Sequence, residues 1–196
     1  MTSELSKAWS PIPGKEFVEF PKIPRLSRDI VITEKIDGTN AQIYIPEAGD
    51  ADTGMIYAAS RNRWISPADD NHGFARWVQE NKEELLKLGP GSHFGEWWGA
   101  GVGRRYDLKE KRFSLFNVHR WSEPSTRPVC CGVVPTLYRG PFLMEAIENE
   151  LTKLRENGST AAPGFMRPEG VVIFHTVSGI LFKKTIEKDE QPKGKG

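Results

Sequence analysis

The sequence predicts an α+β domain built on antiparallel sheets. Strand-like runs rich in β-branched and aromatic residues outnumber the helical patterns, and the helices are interspersed among the strands. The 196 residues suffice for one domain with a hydrophobic core. Apolar residues make up 38% of the chain and charged residues 27%, as is typical of soluble globular proteins. We expect residues 1–184 to form the domain and residues 185–196 to form a short charged tail.

The N-terminal half contains the first predicted strands and one helix. Residues 29–45 read as two strands interrupted by Asp37-Gly38, a turn dipeptide. Residues 55–59 form another short apolar run. Apolar residues recur at helical spacing over residues 73–88, after three residues that can cap a helix and before a Gly-Pro stop, so this stretch is predicted to be a helix.

The C-terminal half continues with two aromatic-rich strands, at residues 92–98 and 111–121. Residues 122–141 contain several prolines and glycines and are predicted to form an irregular loop. Residues 142–157 carry an apolar stripe at helical spacing and are followed by a glycine that can end a helix. Two apolar runs within residues 170–184 predict a closing hairpin.

The bulk composition excludes several classes of protein. The net charge of +1 creates no global field, so any nucleic-acid contact must come from local patches. No apolar run approaches the length of a signal peptide core or a membrane span. Cys130 and Cys131 are adjacent and do not form a disulfide framework, and the four histidines show no metal-ligand spacing. We expect a reduced, cytoplasmic protein of a bacterial or phage-infected cell.

Lys35 is the first candidate for chemistry, because it stands at a strand end before the Asp-Gly turn. An unperturbed lysine, with a pKa near 10.4, is almost wholly protonated at neutral pH. Partial burial and neighbouring cations are what turn lysines into nucleophiles in general. Taken alone, the segment is better explained as a hairpin turn with a solvated lysine.

Six short segments change that balance by their order and spacing; they cover residues 34–40, 60–63, 94–98, 113–118, 168–172 and 181–184. They resemble motifs I, Ia, III, IIIa, IV and V of the covalent nucleotidyltransferases, the superfamily of ATP-dependent DNA and RNA ligases and mRNA capping enzymes. Asn40 after Gly-Thr, and the Gly-Glu-Trp-Trp-Gly of motif III, resemble the RNA ligase 2-like branch. The resemblance implies an ATP-grasp-like nucleotidyltransferase domain of antiparallel sheets flanked by helices. Because twelve residues follow Lys184, no OB-fold is expected.

The resemblance also implies roles for individual residues. Lys35 would attack the α-phosphorus of ATP, and the catalytic set is Lys35, Lys183 and Lys184. The residues implied to bind the nucleotide are Glu34, Ile36, Asn40, Arg61, Glu96 and Phe116. Glu169 would bind the metal, Mg²⁺ or Mn²⁺. Motif V usually reads Lys-x-Lys, whereas the two lysines are adjacent here, so the part of each stays open.

Each assignment also has an ordinary structural alternative. Arg61 fits a surface arginine, Glu96 a carboxylate paired with an arginine, and Phe116 a core aromatic. Glu169 fits a turn residue, and the two lysines fit exposed strand-end charges. A basic stretch between residues 104 and 112 suits either backbone phosphates or a solvated face.

The implied function is ATP-dependent RNA ligation: AMP is transferred from Lys35 to a 5′-phosphate end, which a 3′-hydroxyl then attacks. The implied partners are RNA ends or a nicked duplex, with DNA as an alternative polymer, no membrane, and a separate protein that supplies the absent C-terminal function. Three rivals remain open: a minimal DNA ligase core, a GTP-using capping enzyme, and a non-catalytic fold that only binds nucleic-acid ends.

Overall fold

A computed structural model of the chain describes residues 14–47, 54–187 and 189. Its strands are β1 (Asp29–Lys35), β2 (Thr39–Ile45), β3 (Tyr57–Ser60), β4 (Trp64–Ile65), β5 (Gly91–Gly99), β6 (Lys111–Leu115), β7 (Cys131–Val133), β8 (Thr136–Pro141), β9 (Gly170–His175) and β10 (Leu181–Thr185). Its α-helices are α1 (Phe74–Glu80), α2 (Lys82–Leu85), α3 (Val118–Trp121) and α4 (Met144–Asn157).

The strands form two sheets. The four-stranded sheet has the order β10-β9-β1-β8, and every pair in it is antiparallel. The six-stranded sheet has the order β4-β3-β2-β5-β6-β7 and is antiparallel except for the β6–β7 pair. Sheets of this kind flanked by a few helices confirm the predicted α+β class.

The turn at Asp37-Gly38 connects the two sheets. β1 and β2 are the predicted strands, but they pair with different neighbours rather than with each other, so the hairpin alternative is wrong. Gly38 is required here, because a Cβ atom at this position would lie 2.4 Å from the carbonyl oxygen of Trp97. The end of β1 therefore lies directly beside β5.

Apolar residues fill three layers. The first lies between one face of the six-stranded sheet and α1 and α2, and includes Phe74 and Trp97. The second lies between the two sheets and includes Trp98 and Tyr106. The third lies between the four-stranded sheet and α4, where Leu151 is fully buried. Trp97 and Trp98 on β5 are each only 2% exposed. Both belong to the core, on opposite faces of β5.

The predicted helix over residues 73–88 is broken. α1 ends at Asn81, whose side-chain amide donates to the carbonyl of Trp77, and α2 and a 3₁₀ turn follow. Asp70 accepts hydrogen bonds from the backbone N–H groups of Ala75 and Arg76 at the start of α1, so the predicted capping region does act there. An asparagine that bonds the preceding turn competes with continuation of the helix.

Two further stretches differ from their predictions. The strand predicted over residues 111–121 ends at Leu115, and Asn117 caps α3 by accepting from the backbone N–H of Arg120. The predicted irregular loop at residues 122–141 contains β7 and β8. β8 is an edge strand that ends at Pro141, a position that tolerates proline. The helix predicted at 142–157 and the closing hairpin are confirmed as α4 and as β9 with β10.

β10 extends one residue past the predicted domain boundary. Ile186 then donates its backbone N–H to the carbonyl of Glu169, so the described start of the tail is joined to the sheet. Residues 188 and 190–196 of the predicted tail lie outside the described residues. None of the helices within the described ranges is long and apolar enough to span a bilayer.

Candidate active site

Lys35 closes β1 and points into the space between the two sheets. Its ammonium Nζ lies 2.5 Å from Oε2 of Glu169, the residue immediately before β9. The two side chains are 18% and 7% exposed. A lysine and a glutamate separated by 134 residues are thus held as a partly buried ion pair. The alternative of a lysine free in bulk solvent is wrong.

Glu96 stands on the neighbouring sheet, opposite Asn40 in the β2–β5 register. Its Oε1 accepts from the backbone N–H of Gly38 at 2.9 Å, and its Oε2 accepts from the side-chain amide of Asn40 at 3.1 Å. Burial raises the pKa of Glu96 to about 7, and the charges of Glu169 and Asp37 add to this while Lys35 opposes it. The partners of the Glu96 carboxylate are thus Gly38 and Asn40, and the alternative of a carboxylate paired with an arginine is wrong.

The register of the four-stranded sheet separates the two motif V lysines. Gly170 of β9 pairs with Lys35 on one side and with Thr185 on the other. Lys183 pairs with Val172, two residues further along β9. Because successive residues of a strand point to opposite faces, Lys183 and Thr185 share the face of Lys35.

Lys184 points to the other face of the same sheet, where its Nζ lies 2.5 Å from Oε1 of Glu148 on α4. The structure therefore does not bring Lys184 to the cluster around Lys35. With Lys183 taken as the first lysine of the usual Lys-x-Lys pattern, Thr185 stands at the position of the second.

Glu34 also points away from Lys35. Its carboxylate accepts from the hydroxyl of Ser159 at 2.5 Å and from the backbone N–H of Ala161 at 2.8 Å. Burial raises the pKa of Glu34, and these hydrogen bonds oppose the rise. Ile36 is 4% exposed and packs in the layer between the sheets. The side chains of Glu34 and Ile36 are therefore engaged within the protein.

Of the remaining predicted nucleotide-binding residues, Asn40 and Phe116 lie on the face of the six-stranded sheet that carries Glu96. Asn40 contacts Glu96 directly. Phe116 directly follows β6, is 40% exposed, and donates its backbone N–H to the carbonyl of Phe94. Arg61 is exposed in the turn between β3 and β4. Phe116 is thus not a core aromatic, and its ring is open to a ligand.

The loop between β5 and β6 contributes contacts of Arg104 and Tyr106 that the sequence analysis did not predict. The hydroxyl of Tyr106 accepts the backbone N–H of Asp37 at 2.7 Å, and burial raises the pKa of Tyr106 above its usual range. Nε of Arg104 lies 3.5 Å from Oδ2 of Asp37, and its Nη1 donates to the carbonyl of Arg167 at 2.9 Å. The loop thereby ties the turn after Lys35 to the segment before Glu169. The only sequence signal was the run of glycines and arginines.

Most of the predicted basic stretch is engaged within the protein. Arg104 makes the contacts just described, Lys111 donates to the carbonyl of His72, and Arg112 pairs with Glu110. Arg105 and Lys109 make no ion pair among the described residues. For these two residues, contact with backbone phosphates and a solvated surface both remain open.

The described residues contain no group of three or more His, Cys, Asp or Glu side chains that could hold a metal ion. Mg²⁺ keeps several waters and is commonly bound by one or two carboxylates together with substrate phosphates. Glu169 offers such a carboxylate beside Lys35.

The chain is similar to known proteins in sequence and in fold. A sequence model of the RNA ligase family matches residues 28–185. The chain is similar to three solved structures of the Naegleria gruberi RNA ligase. A substituted form with ATP and Mn has a TM-score of 0.62 and 20% identity, and the match covers 86% of this chain and 53% of that chain. A substituted form with AMP and Mn has a TM-score of 0.60 and 20% identity, the enzyme with PPi has a TM-score of 0.59 and 21% identity, and both matches cover 85% of this chain and 53% of that chain. The chain spans about half the length of these structures. No curated protein sequence matches the chain.

Proposed function

The chain belongs to the RNA ligase family, and we propose on that premise that it is an ATP-dependent RNA ligase with Lys35 as its nucleophile. One observation carries the proposal: the Lys35 ammonium lies beside Glu169, with Lys183 on the same face and Glu96 on the facing sheet. The Naegleria gruberi enzyme of similar fold has been solved with ATP and Mn, with AMP and Mn, and with PPi. AMP and pyrophosphate are the two parts into which nucleotidyl transfer divides ATP.

In the first step the deprotonated amine of Lys35 attacks the α-phosphorus of ATP. A nitrogen–phosphorus bond forms, the bond from the α-phosphorus to the bridging oxygen breaks, and pyrophosphate leaves with that oxygen. Such transfers depend mainly on positioning and on neutralisation of charge. Lys183 is suited to stabilise the negative charge on the α-phosphate, because it is cationic and faces the same side of the sheet as Lys35.

The nucleoside would lie along the six-stranded sheet. Glu96 and Asn40 offer an acceptor and a donor for the ribose hydroxyls, and Phe116 offers an exposed ring on which adenine can stack. Arg61 would contact a phosphate or a ribose hydroxyl from the edge of that face. This arrangement fixes the sugar and base while the α-phosphate reaches Lys35.

A divalent cation, Mg²⁺ or Mn²⁺, would supply neutralisation of the phosphate charge when bound. Glu169 is the residue that would hold it. The carboxylate of Glu169 also orients the Lys35 side chain through their ion pair. Engagement of Glu169 elsewhere would leave the amine of Lys35 without its acidic partner.

In the later steps AMP moves from Lys35 to the 5′-phosphate of an RNA strand. A 3′-hydroxyl then attacks that phosphate, the phosphodiester bond forms, and AMP leaves. The chain matches about half the length of the Naegleria gruberi enzyme, and both of these steps are part of the proposal.

Labelling with α-³²P nucleotides tests the proposal. After incubation with Mg²⁺, label from ATP should remain on the denatured protein in a gel, and label from GTP should not. Transfer from GTP alone would identify a capping-type enzyme, and labelling by neither nucleotide would favour a fold that only binds nucleic-acid ends. Either result would overturn the proposal.

The polymer is tested separately with 5′-phosphorylated strands. The chain should join RNA 3′-hydroxyl ends faster than DNA 3′-hydroxyl ends of the same sequence. A faster reaction on DNA would replace RNA by DNA as the substrate while leaving the chemistry at Lys35 intact.

A further inference from the structure

The face of the six-stranded sheet that carries Glu96 does not end at the nucleotide site. Trp98, Glu96 and Phe94 alternate along β5 and point to this face. Trp98 is buried between the sheets, Glu96 is 7% exposed, and Phe94 is 55% exposed. The face therefore runs from core through the candidate site to solvent within five residues of one strand.

Beyond Glu96 the exposed part of this face is aromatic. Phe94 lies opposite Gln42, Gln42 opposite Ala59, and Ala59 opposite Trp64, so all four belong to one row across the sheet. Tyr44 and Tyr57 form the next row. We call Tyr44, Tyr57, Trp64 and Phe94 the aromatic surface.

Two rings of the aromatic surface, those of Trp64 and Phe94, are exposed, and those of Tyr44 and Tyr57 are half-buried. Trp64 is 59% exposed, and its ring centroid lies 6.0 Å from that of Tyr44 and 6.2 Å from that of Tyr57. Contact between the three rings fixes their positions, so a ligand that stacks on Trp64 would meet a surface that is already ordered. Base–aromatic stacking needs this property, and it tolerates any base because each base has a flat π-face.

The geometry of the sheet connects the aromatic surface to the candidate site. Phe94 and Glu96 are two residues apart on β5, about 7 Å, and Trp64 stands three strands away from Phe94, roughly 14 Å. Phe116, which is assigned to adenine, borders Phe94 on its other side. A strand whose end reaches Lys35 can therefore pass over Phe94 and Trp64.

The local charge also suits a polyanion. Arg61 is exposed in the turn between β3 and β4 and makes no ion pair or hydrogen bond among the described residues. In the same turn Arg63 neutralises Asp69 through its guanidinium. The edge of the aromatic surface thus offers a cation for a phosphate.

We propose that the aromatic surface binds unpaired bases of the RNA strand whose end is joined, and so selects single-stranded RNA over duplex. This proposal rests on the proposed function for the identity of the strand. Paired bases are stacked within a helix and cannot lie flat on protein rings, whereas bases of a single strand can.

Fluorescence anisotropy on the full chain tests this proposal. The probes are a labelled, 5′-phosphorylated oligoribonucleotide and the same strand annealed to its complement. Trp64→Ala should weaken binding of the single strand by roughly 5- to 150-fold, the loss expected for one base–aromatic stack. It should change binding of the duplex by less. Trp64→Phe should restore most of the single-strand affinity.

Phe20→Ala is the matched control, because Phe20 is 77% exposed and lies outside both sheets. It should leave the affinity for the single strand unchanged. Equal affinities of Trp64→Ala and wild type for the single strand would overturn the proposal. So would equal losses on single strand and duplex, or an equal loss in Phe20→Ala.

Photocrosslinking tests the same proposal on the wild-type protein, without a substitution. RNA that contains 5-iodouridine should crosslink to peptides that carry Trp64, Tyr44 or Tyr57 when the wild-type protein is irradiated and digested. Crosslinks found only outside the aromatic surface would overturn the proposal.

Labelling by ATP in the absence of RNA distinguishes the two proposals. Trp64→Ala should retain it, because Trp64 lies outside the candidate site. A chain that binds single strands through Trp64 but never takes label from ATP would refute the ligase proposal and keep the aromatic surface. A chain that takes label from ATP but binds RNA independently of Trp64 would refute the aromatic surface and keep the ligase proposal.

Discussion

Adjacent side chains on a strand point to opposite faces of the sheet, so the two neighbouring lysines of motif V have different surroundings. Lys183 and Lys184 are indistinguishable in the sequence, yet one faces Lys35 and the other pairs with Glu148 on α4. The strand register decides between them, and no local pattern contains that register. A shift of β10 by one residue would exchange their positions.

Single substitutions of the two lysines therefore have different expected effects. Lys183→Ala should slow formation of the AMP adduct by about 10²- to 10³-fold, the cost of losing one group that stabilises transition-state charge. Lys184→Ala removes a half-exposed ion pair and should leave the rate within about threefold of wild type, since such pairs contribute roughly 0–1 kcal/mol. Single-turnover labelling with ATP measures both rates. A larger loss in Lys184→Ala would show that the register of β10 differs from the one described.

Glu96 connects the site to the pH dependence of folding. Its pKa of about 7 in the folded protein exceeds the ordinary value of 4.5 because the carboxyl is buried. Between these two pH values the unfolded chain has released this proton while the folded protein retains it. The contribution of Glu96 to the free energy of unfolding therefore decreases as the pH rises through this window.

Glu96→Gln removes this titration and tests its sign. As the pH rises from about 4.5 to about 7, the free energy of unfolding of the wild type should fall relative to that of the variant. The expected change in this difference is on the order of 3 kcal/mol. Urea denaturation of the nucleotide-free protein in a chelator at several pH values measures it. A constant difference across the window would mean that Glu96 titrates normally.

The loop between β5 and β6 shows how an irregular element can fix a site. Arg105, Tyr106 and Asp107 have φ values of 64°, 51° and 54°, in the left-handed region that side chains rarely adopt. The buried hydroxyl of Tyr106 and the contacts of Arg104 hold this strained segment against Asp37. We infer that the strain is retained because the loop positions the turn that follows Lys35.

Two glycines of this loop give a matched comparison. Gly101 and Gly103 both have positive φ, 76° and 54°, but a Cβ at Gly101 would meet open space, while one at Gly103 would lie 2.1 Å from the carbonyl oxygen of Asp37. Gly101→Ala should cost about 1–2 kcal/mol of stability from backbone strain alone. Gly103→Ala should lower the melting temperature further and also reduce labelling by ATP, because the turn must move. Equal effects of the two substitutions would remove the loop from the account of the site.

Local pattern and long-range packing explain which elements the sequence could predict. The strands on either side of Asp37-Gly38, α4 and the β9–β10 hairpin follow from periodicity and turn residues. β7 and β8 were missed because their sequence is rich in proline and glycine, and pairing with β6 and β1 stabilises them. The same limit applies to the site. The motifs identified Lys35, Glu96 and Glu169, but the faces of Glu34 and Lys184 and the contacts of Arg104 depend on tertiary structure.

In the molecule as a whole, the candidate site lies where the two sheets meet. One sheet provides Lys35 and Lys183, the other provides Glu96 and Asn40, and the turn at Asp37-Gly38 joins them. The core between the sheets, which includes Trp98 and Tyr106, sets the distance across the site. The chain spans about half the length of the Naegleria gruberi structures, and this half contains every residue proposed for the first chemical step.

Mass spectrometry of the chain after incubation with ATP and Mg²⁺ tests the central claim most directly. We predict an increase by one AMP, mapped after digestion to the peptide that contains Lys35, and no adduct on Lys35→Ala. An adduct on any other residue, or one that persists in Lys35→Ala, would contradict the account.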